Sequence, residues 1–218
     1  MEMNEKFNKI FQRGNNILVL GPPLSGKKTF SKRFIFDGLT KGEAGIFTCT
    51  NNTAEEESED FFKLGFNVKS FEEKNLLVYV DFCSRNVGLK CEDTSNVRRL
   101  TSMMDLTGYN VAVRDFVVKF WKEGKPVRLV FDSVSTLLLY NELKTVVRFF
   151  HVLFGKLRNA GAIGLFLVEE GIHSTEVLTT LTSMVNAFIE IKTENEKNYV
   201  RIRAESLNFG LFPLNFHE

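Results

Sequence analysis

The segment Gly21-Pro22-Pro23-Leu24-Ser25-Gly26-Lys27-Lys28-Thr29 constrains this chain more than any other stretch. It fits the pattern G-x-x-x-x-G-K. A short apolar run at residues 16–20, read as a buried strand, precedes it. Residues 27–39 follow, with Phe30, Phe34 and Ile35 on one helical face. Strand, glycine loop and helix in that order make a cradle for phosphate. Glycines let the backbone turn tightly, successive N–H groups point inward at phosphate oxygens, and the helix adds the positive end of its dipole. Lys27 is placed to reach the β- and γ-phosphates of ATP or ADP, and every residue of the segment is a nucleotide-binding candidate.

The position after the lysine ordinarily carries Ser or Thr, whose hydroxyl holds Mg²⁺. Here it is Lys28, with Thr29 one residue later. An ammonium is a donor only and cannot ligate a cation. Two arrangements are open. Lys28 sets its charge beside the phosphates, so that Mg²⁺ is not required, or it turns to solvent and Thr29 or water takes the metal.

Residues 4–12 place Phe7, Ile10 and Phe11 at helical spacing, giving a short N-terminal helix within residues 1–13. Residues 45–50, 76–82, 127–131 and 162–168 read as further strands. Helices are expected from a Thr53 cap to about Gly65, over 95–107 and 110–121 joined at Gly108, over 142–159 and over 174–184. Residues 84–93 have no clear period and read as a loop. Residues 187–192 and 199–204 flank a polar turn at 193–198, a closing hairpin. Alternating strands and helices imply right-handed crossovers and an α/β architecture, with a mainly parallel sheet covered by helices on both faces. With no repeat or linker, residues 1–218 are expected to form one nucleotide-binding domain.

Composition narrows the partners. The 28 Lys and Arg against 27 Asp and Glu leave a net charge of +1, so a chain that coats nucleic acid is not favoured. The 22 Phe against four Tyr and one Trp imply a dense aromatic core, with apolar patches left over for a partner. Cys49, Cys83 and Cys91 form no CxxC pair, and the histidines His151, His173 and His217 do not cluster, so reduced thiols are expected and no zinc site. A lone histidine on a helix face, such as His151, reads as packing. The N-terminus lacks a signal-peptide run, and no stretch of about 18 apolar residues exists. The expectation is a cytoplasmic protein with no membrane association.

Residues 127–133 carry a second signal, a buried strand ending in Asp132. In enzymes with such a phosphate loop an Asp here holds Mg²⁺ through water. Many strands end in Asp for turn chemistry alone, and the placement downstream of the loop gives this one its weight. With Asp132-Ser133-Val134-Ser135-Thr136-Leu137-Leu138 in view, the chain resembles the KaiC/RadA-like branch of the RecA-type P-loop ATPases. The resemblance runs from Asn15 to about Phe216 and includes Gly45-Ile46-Phe47-Thr48, Asp105-Leu106-Thr107-Gly108 and the closing hairpin.

The resemblance implies site residues. Family members carry water-activating glutamates just after the second strand, and those positions fall on Asn51 and Asn52. An amide cannot act as a general base at neutral pH. A shifted register would let Glu55 substitute, although a solvated first turn is the plainer reading of the acidic run at 55–60. After the fifth strand the family has a polar residue that senses the γ-phosphate, and here that position is Glu169. An acid facing a phosphate needs a cation between them, which makes a Lys28–Glu169 pair an expectation. In oligomeric relatives a basic residue of the last hairpin reaches the neighbour's nucleotide. Arg201 and Arg203 lie in that region, with two solvent-facing strand arginines as the plainer reading. Arg98 and Arg99 are equally open.

Three functions follow as expectations. The leading one is a nucleotide-dependent regulatory or scaffolding ATPase homologue with weakened or absent hydrolysis. The second is an active RadA-paralogue-type, DNA-dependent ATPase, which the neutral charge disfavours. The third is a protein- or peptide-binding module on a degenerate ATPase fold. A homo-oligomer or a protein partner is expected in the first and third.

Overall fold

A computed structural model describes residues 3–194, 197–204 and 207–214. The chain runs α1 (Met3–Ile10), β1 (Asn16–Gly21), α2 (Lys27–Thr40), β2 (Ala44–Cys49), α3 (Ala54–Lys63), α4 (Lys69–Glu73) and β3 (Leu77–Asp81). It continues through α5 (Cys83–Asn86), β4 (Val97–Arg99), α6 (Leu106–Lys122), β5 (Val127–Asp132), α7 (Val134–Tyr140) and α8 (Leu143–Asn159). It closes with β6 (Ile163–Glu169), α9 (Thr175–Thr182), β7 (Ala187–Glu194), β8 (Lys197–Ala204) and β9 (Leu207–Pro213). Among the described residues one sheet forms, in the order β4-β3-β2-β5-β6-β1-β7-β8-β9. It is parallel from β4 to β7, and β8 and β9 are added antiparallel.

Strands β1, β2, β3 and β5 are buried along their whole length, as strands covered on both faces must be. Leu18, Leu20, Leu129 and Phe131 face one apolar layer with α6 and α8. Ile17, Val19, Phe47 and Val130 face the other, with α1, α2 and α3. Much of the phenylalanine goes into these layers. The Phe131 ring lies 5.4 Å from both Tyr109 and Phe150, and 6.3 Å from both Phe82 and Phe166.

Several expected elements are corrected. Residues 95–107 are not a helix: Val97–Arg99 pairs in parallel with β3 as the edge strand β4, and the helix begins at Leu106. Gly108 does not divide it. Asp105 caps the helix by accepting the Gly108 N–H at 2.8 Å, and a Cβ on Gly108 would meet the Asp105 carboxylate at 2.5 Å. The 84–93 loop opens with the short helix α5. Helix α7, capped by Ser133, lies between Asp132 and α8 where no element was read. The closing hairpin carries a third strand, β9, and part of its 193–198 turn lies outside the described residues, as does His217.

Phe131 sits at the centre of the ring cluster. Phe131→Ala is expected to cost about 3–5 kcal/mol of unfolding free energy, the usual range for deleting a fully buried ring. Urea denaturation of the two proteins measures it, and a loss under about 1 kcal/mol would show that the cluster repacks freely.

Candidate functional site

The carboxyl ends of β1, β2, β5 and β6 meet at one edge of the sheet. Gly21 stands opposite Glu169 across β1 and β6, and Cys49 opposite Asp132 across β2 and β5. From β1 the chain crosses to β2 on one side, and from β6 to β7 on the other. Ligands of open α/β sheets bind at such a reversal.

The 21–29 loop fills this position. At Gly21 a Cβ would lie 2.7 Å from Ser25 Oγ, so only glycine lets the loop fold back this closely. Gly26, at φ 81°, turns the chain into α2. No side chain caps that helix and no acid lies in its first turn, which leaves its amides open to an anion. Ser25 Oγ is buried without a partner among the described residues. Leu24 projects fully into solvent. This arrangement fits a chain of phosphates: free helix amides, an orphaned hydroxyl and a lysine converge on one loop.

Lys27 is 4% exposed. Its Nζ donates to the Pro22 carbonyl at 2.8 Å and to Glu169 Oε2 at 2.7 Å. The expected Lys28–Glu169 pair is therefore corrected: the partner is Lys27. Consecutive helical residues point about 100° apart, and Lys28 is directed to solvent while Thr29 is half-buried.

Asp132 is held at the end of β5 by its own backbone. Its carbonyl accepts Thr50 Oγ1 at 2.7 Å, and Thr50 Oγ1 in turn accepts the Ser133 N–H at 2.7 Å. Burial pushes its carboxyl up from 3.8 to about 6; Lys28 and Lys32 oppose the rise, and Glu57 and Glu169 add to it. Asp132 Oδ2 is buried and has no partner among the described residues. The hydroxyl that would share a magnesium ion with it is replaced by Lys28, whose charge already acts on this carboxylate. The donor set does not fit a metal held by that hydroxyl and carboxylate together. Nor do the described residues contain a group of three or more His, Cys, Asp or Glu able to hold a metal.

Asn51 and Asn52 are both engaged. Asn51 Oδ1 accepts Thr136 Oγ1 at 2.8 Å, and Asn52 Nδ2 donates to Glu57 Oε1 at 2.9 Å. Glu57 is 2% exposed and forms a buried ion pair with Lys32, whose ammonium lies 5.1 Å from the ring centres of both Phe47 and Phe61. Glu55, the candidate substitute acid, instead pairs with Arg99 beside the edge strand. The inward-facing acid of the run is Glu57. Its signal was available in the sequence, because Ala54, Glu57 and Phe61 share the buried face of α3 at helical spacing.

Sequence reasoning also missed two residues joined only in space. His173 Nε2 lies 2.7 Å from Ser135 Oγ, and that hydroxyl accepts the Glu169 N–H at 2.8 Å. Burial lowers the His173 pKa, which favours the neutral imidazole that can accept the serine proton. His151, read as packing, is exposed on α8. Arg201 pairs with Glu190 at 3.2 Å. Arg203 lies farther down β8, lining a cavity of about 900 Å³ with Lys9, Asn15 and Asn186. Arg98 lies over the Phe116 ring.

A phosphate cradle between β1 and α2, an acid ending β5 and a mainly parallel sheet together define a RecA-type P-loop nucleotide-binding domain. The family model described as "ATPase: KaiC" matches residues 1–204, and the chain belongs to that family. Membership implies nucleotide binding. The chain is 29% identical over 132 residues to UPF0273 protein PH0284 of Pyrococcus horikoshii, covering 57% of this chain and 48% of that protein. It is 30% identical over 139 residues to UPF0273 protein MK0039 of Methanopyrus kandleri, covering 63% and 52%. It thus spans about half the length of these curated relatives. The crystal structure of KaiC-like protein PH0186 from Pyrococcus horikoshii superposes with a TM-score of 0.73 over 95% of this chain and 89% of that one, and at 19% identity it shows the shared fold. Among the described residues, no helix is long and apolar enough to cross a membrane.

The buried Asp132 carboxylate makes a prediction. Its folded-state pKa lies above its unfolded value, so its contribution to stability is intact below about pH 4 and lost as pH rises through about 6. At about 1.4 kcal/mol per pH unit of pKa change, Asp132→Asn should raise stability by about 2–3 kcal/mol at pH 8. The difference should vanish below pH 4. Urea denaturation in EDTA at both pH values checks this, and a variant less stable than the parent at pH 8 would contradict it.

Proposed function

We propose that this chain is a nucleotide-dependent regulatory or scaffolding protein, which binds ATP or ADP on its 21–29 loop and hydrolyses ATP very slowly or not at all. One observation carries the reading: Asn51 and Asn52, which the family resemblance sets at the positions of a water-activating carboxylate, are amides already hydrogen-bonded to neighbours. The acid closest to them in the site, Glu57, is buried against Lys32 and donates nothing to solvent chemistry. Loss of a general base costs roughly 10²–10⁴-fold in rate. Loop amides, Ser25 and Lys27 bind the phosphates, while Asp132 Oδ2 stays without a partner among the described residues at the site's edge. Lys28, in the place of the hydroxyl, supplies positive charge near the phosphates that a metal would otherwise bring.

The scaffolding part of this reading has its own support. Trp121, 73% exposed, and Val118 border a groove of about 370 Å³ between α6 and α8, floored by Val117, Leu153 and Leu157. An apolar patch of this kind marks a protein contact more often than a catalytic surface.

The reading predicts that nucleotide at about 100 times its dissociation constant adds about 2.7 kcal/mol to stability. The effect should be lost in Lys27→Ala. It also predicts that calorimetric affinity changes less than about tenfold, or 1.4 kcal/mol, between EDTA and Mg²⁺, and that Lys28→Thr becomes more metal-dependent. A melt unmoved by millimolar nucleotide, or a tenfold or greater weakening of the wild type in EDTA, would overturn the corresponding part.

A further inference from the structure

Lys27 is the residue that would bridge the β- and γ-phosphates, and it is already occupied. Its ammonium has three protons. One goes to the Pro22 carbonyl at 2.8 Å and one to the Glu169 carboxylate at 2.7 Å. At 4% exposure the side chain has little room to swing elsewhere. Glu169 is not a floppy partner either. It ends β6 directly opposite Gly21, and its N–H is tied to Ser135 Oγ, which His173 holds from the other side. One carboxylate oxygen therefore rests on Lys27 where a terminal phosphate oxygen would.

From this geometry we infer that Glu169 is a built-in stand-in for the γ-phosphate and makes the site prefer a nucleoside diphosphate to a triphosphate. The inference deepens the proposed function and rests on its nucleotide site. A diphosphate can take the third proton of Lys27 and the amides of the loop while both existing contacts survive. A triphosphate has to set its γ-phosphate against Glu169 or break the ion pair and leave a carboxylate facing the phosphate. Like charges brought together away from water repel strongly. Asp132 adds a second carboxylate on the same edge, close enough to feel the charge of Glu169. The nearby counter-charge is Lys28; it acts on Asp132 but is exposed to solvent, so it offsets only part of this repulsion. Beside the Lys27 ammonium, where a terminal phosphate would sit, this chain places an acid that turns it away.

Calorimetry in EDTA tests the assignment with ADP and a non-hydrolysable ATP analogue, on the wild type and on Glu169→Gln. The wild type is expected to bind ADP about tenfold or more tightly than the analogue. Glu169→Gln should tighten the analogue by about tenfold and change ADP by less than about threefold, so the preference closes or reverses. Thermal melts with inorganic pyrophosphate and tripolyphosphate give the same ordering on the wild type alone, independent of how the variant folds. Equal or tighter binding of the triphosphate by the wild type would overturn the inference. So would a preference that survives Glu169→Gln, while leaving the nucleotide site standing. Failure of the wild type to bind either nucleotide would overturn the site itself, and this inference with it.

Discussion

A lysine ammonium taken out of water must be neutralised, and the functional edge of this sheet is organised around two that are. Lys27 is set against Glu169 and Lys32 against Glu57, and both lysines are almost wholly buried. Removing one partner from such a pair strands a charge in low dielectric, which is far more costly than the pair is favourable. The pairing therefore fixes more than local geometry. Glu169 ties β6 to the phosphate loop, and Glu57 ties α3 to α2. Asn52 hangs from Glu57, and Ser135 and His173 hang from the end of β6. The phosphate cradle keeps its shape because each of these elements is anchored to a lysine of the same helix.

On the proposed reading, that electrostatic arrangement also separates binding from turnover. The groups that grip an anion are present: loop amides, a buried hydroxyl at Ser25 and a fixed ammonium at Lys27. On the same reading, the groups at the water-activating positions are engaged in structure, Asn51 with Thr136 and Asn52 with Glu57. Glu57 is a carboxylate in roughly the right neighbourhood, yet its charge is consumed by Lys32 beneath the rings of Phe47 and Phe61. The Asp132 carboxyl, at the end of β5, bears a desolvation penalty, and its Oδ2 has no partner among the described residues.

Much of this was legible in the sequence, because the strongest signals were local. The glycine loop, the strand before it and the helix after it are contiguous, and they lie where the pattern put them. The strand alternation that gave a mainly parallel sheet is equally local. What was missed depends on direction or on distance. Lys27 and Lys28 are neighbours in sequence but diverge around the helix, so no pattern said which would meet Glu169. Glu55 and Glu57 sit in one acidic run, and only the shared face with Ala54 and Phe61 singled out the buried one. The edge strand β4 is three residues long and too short to show a period. Strand β9 is interrupted by Gly210 and ends in Pro213, so its partly buried Leu207 and Phe209 and its buried Phe212 did not announce a third strand. Ser135 and His173 lie 38 residues apart and meet only once β6 is in place.

The central claim is that this P-loop holds nucleotide without cleaving it. A single-turnover experiment addresses it most directly: protein in molar excess over γ-labelled ATP, at concentrations that drive binding, with and without Mg²⁺, quenched over hours. Intact ATP at the background rate of loss is the predicted result. Release of labelled phosphate well above background, abolished by Lys27→Ala, would contradict the account and assign the missing base to a residue other than Asn51 or Asn52.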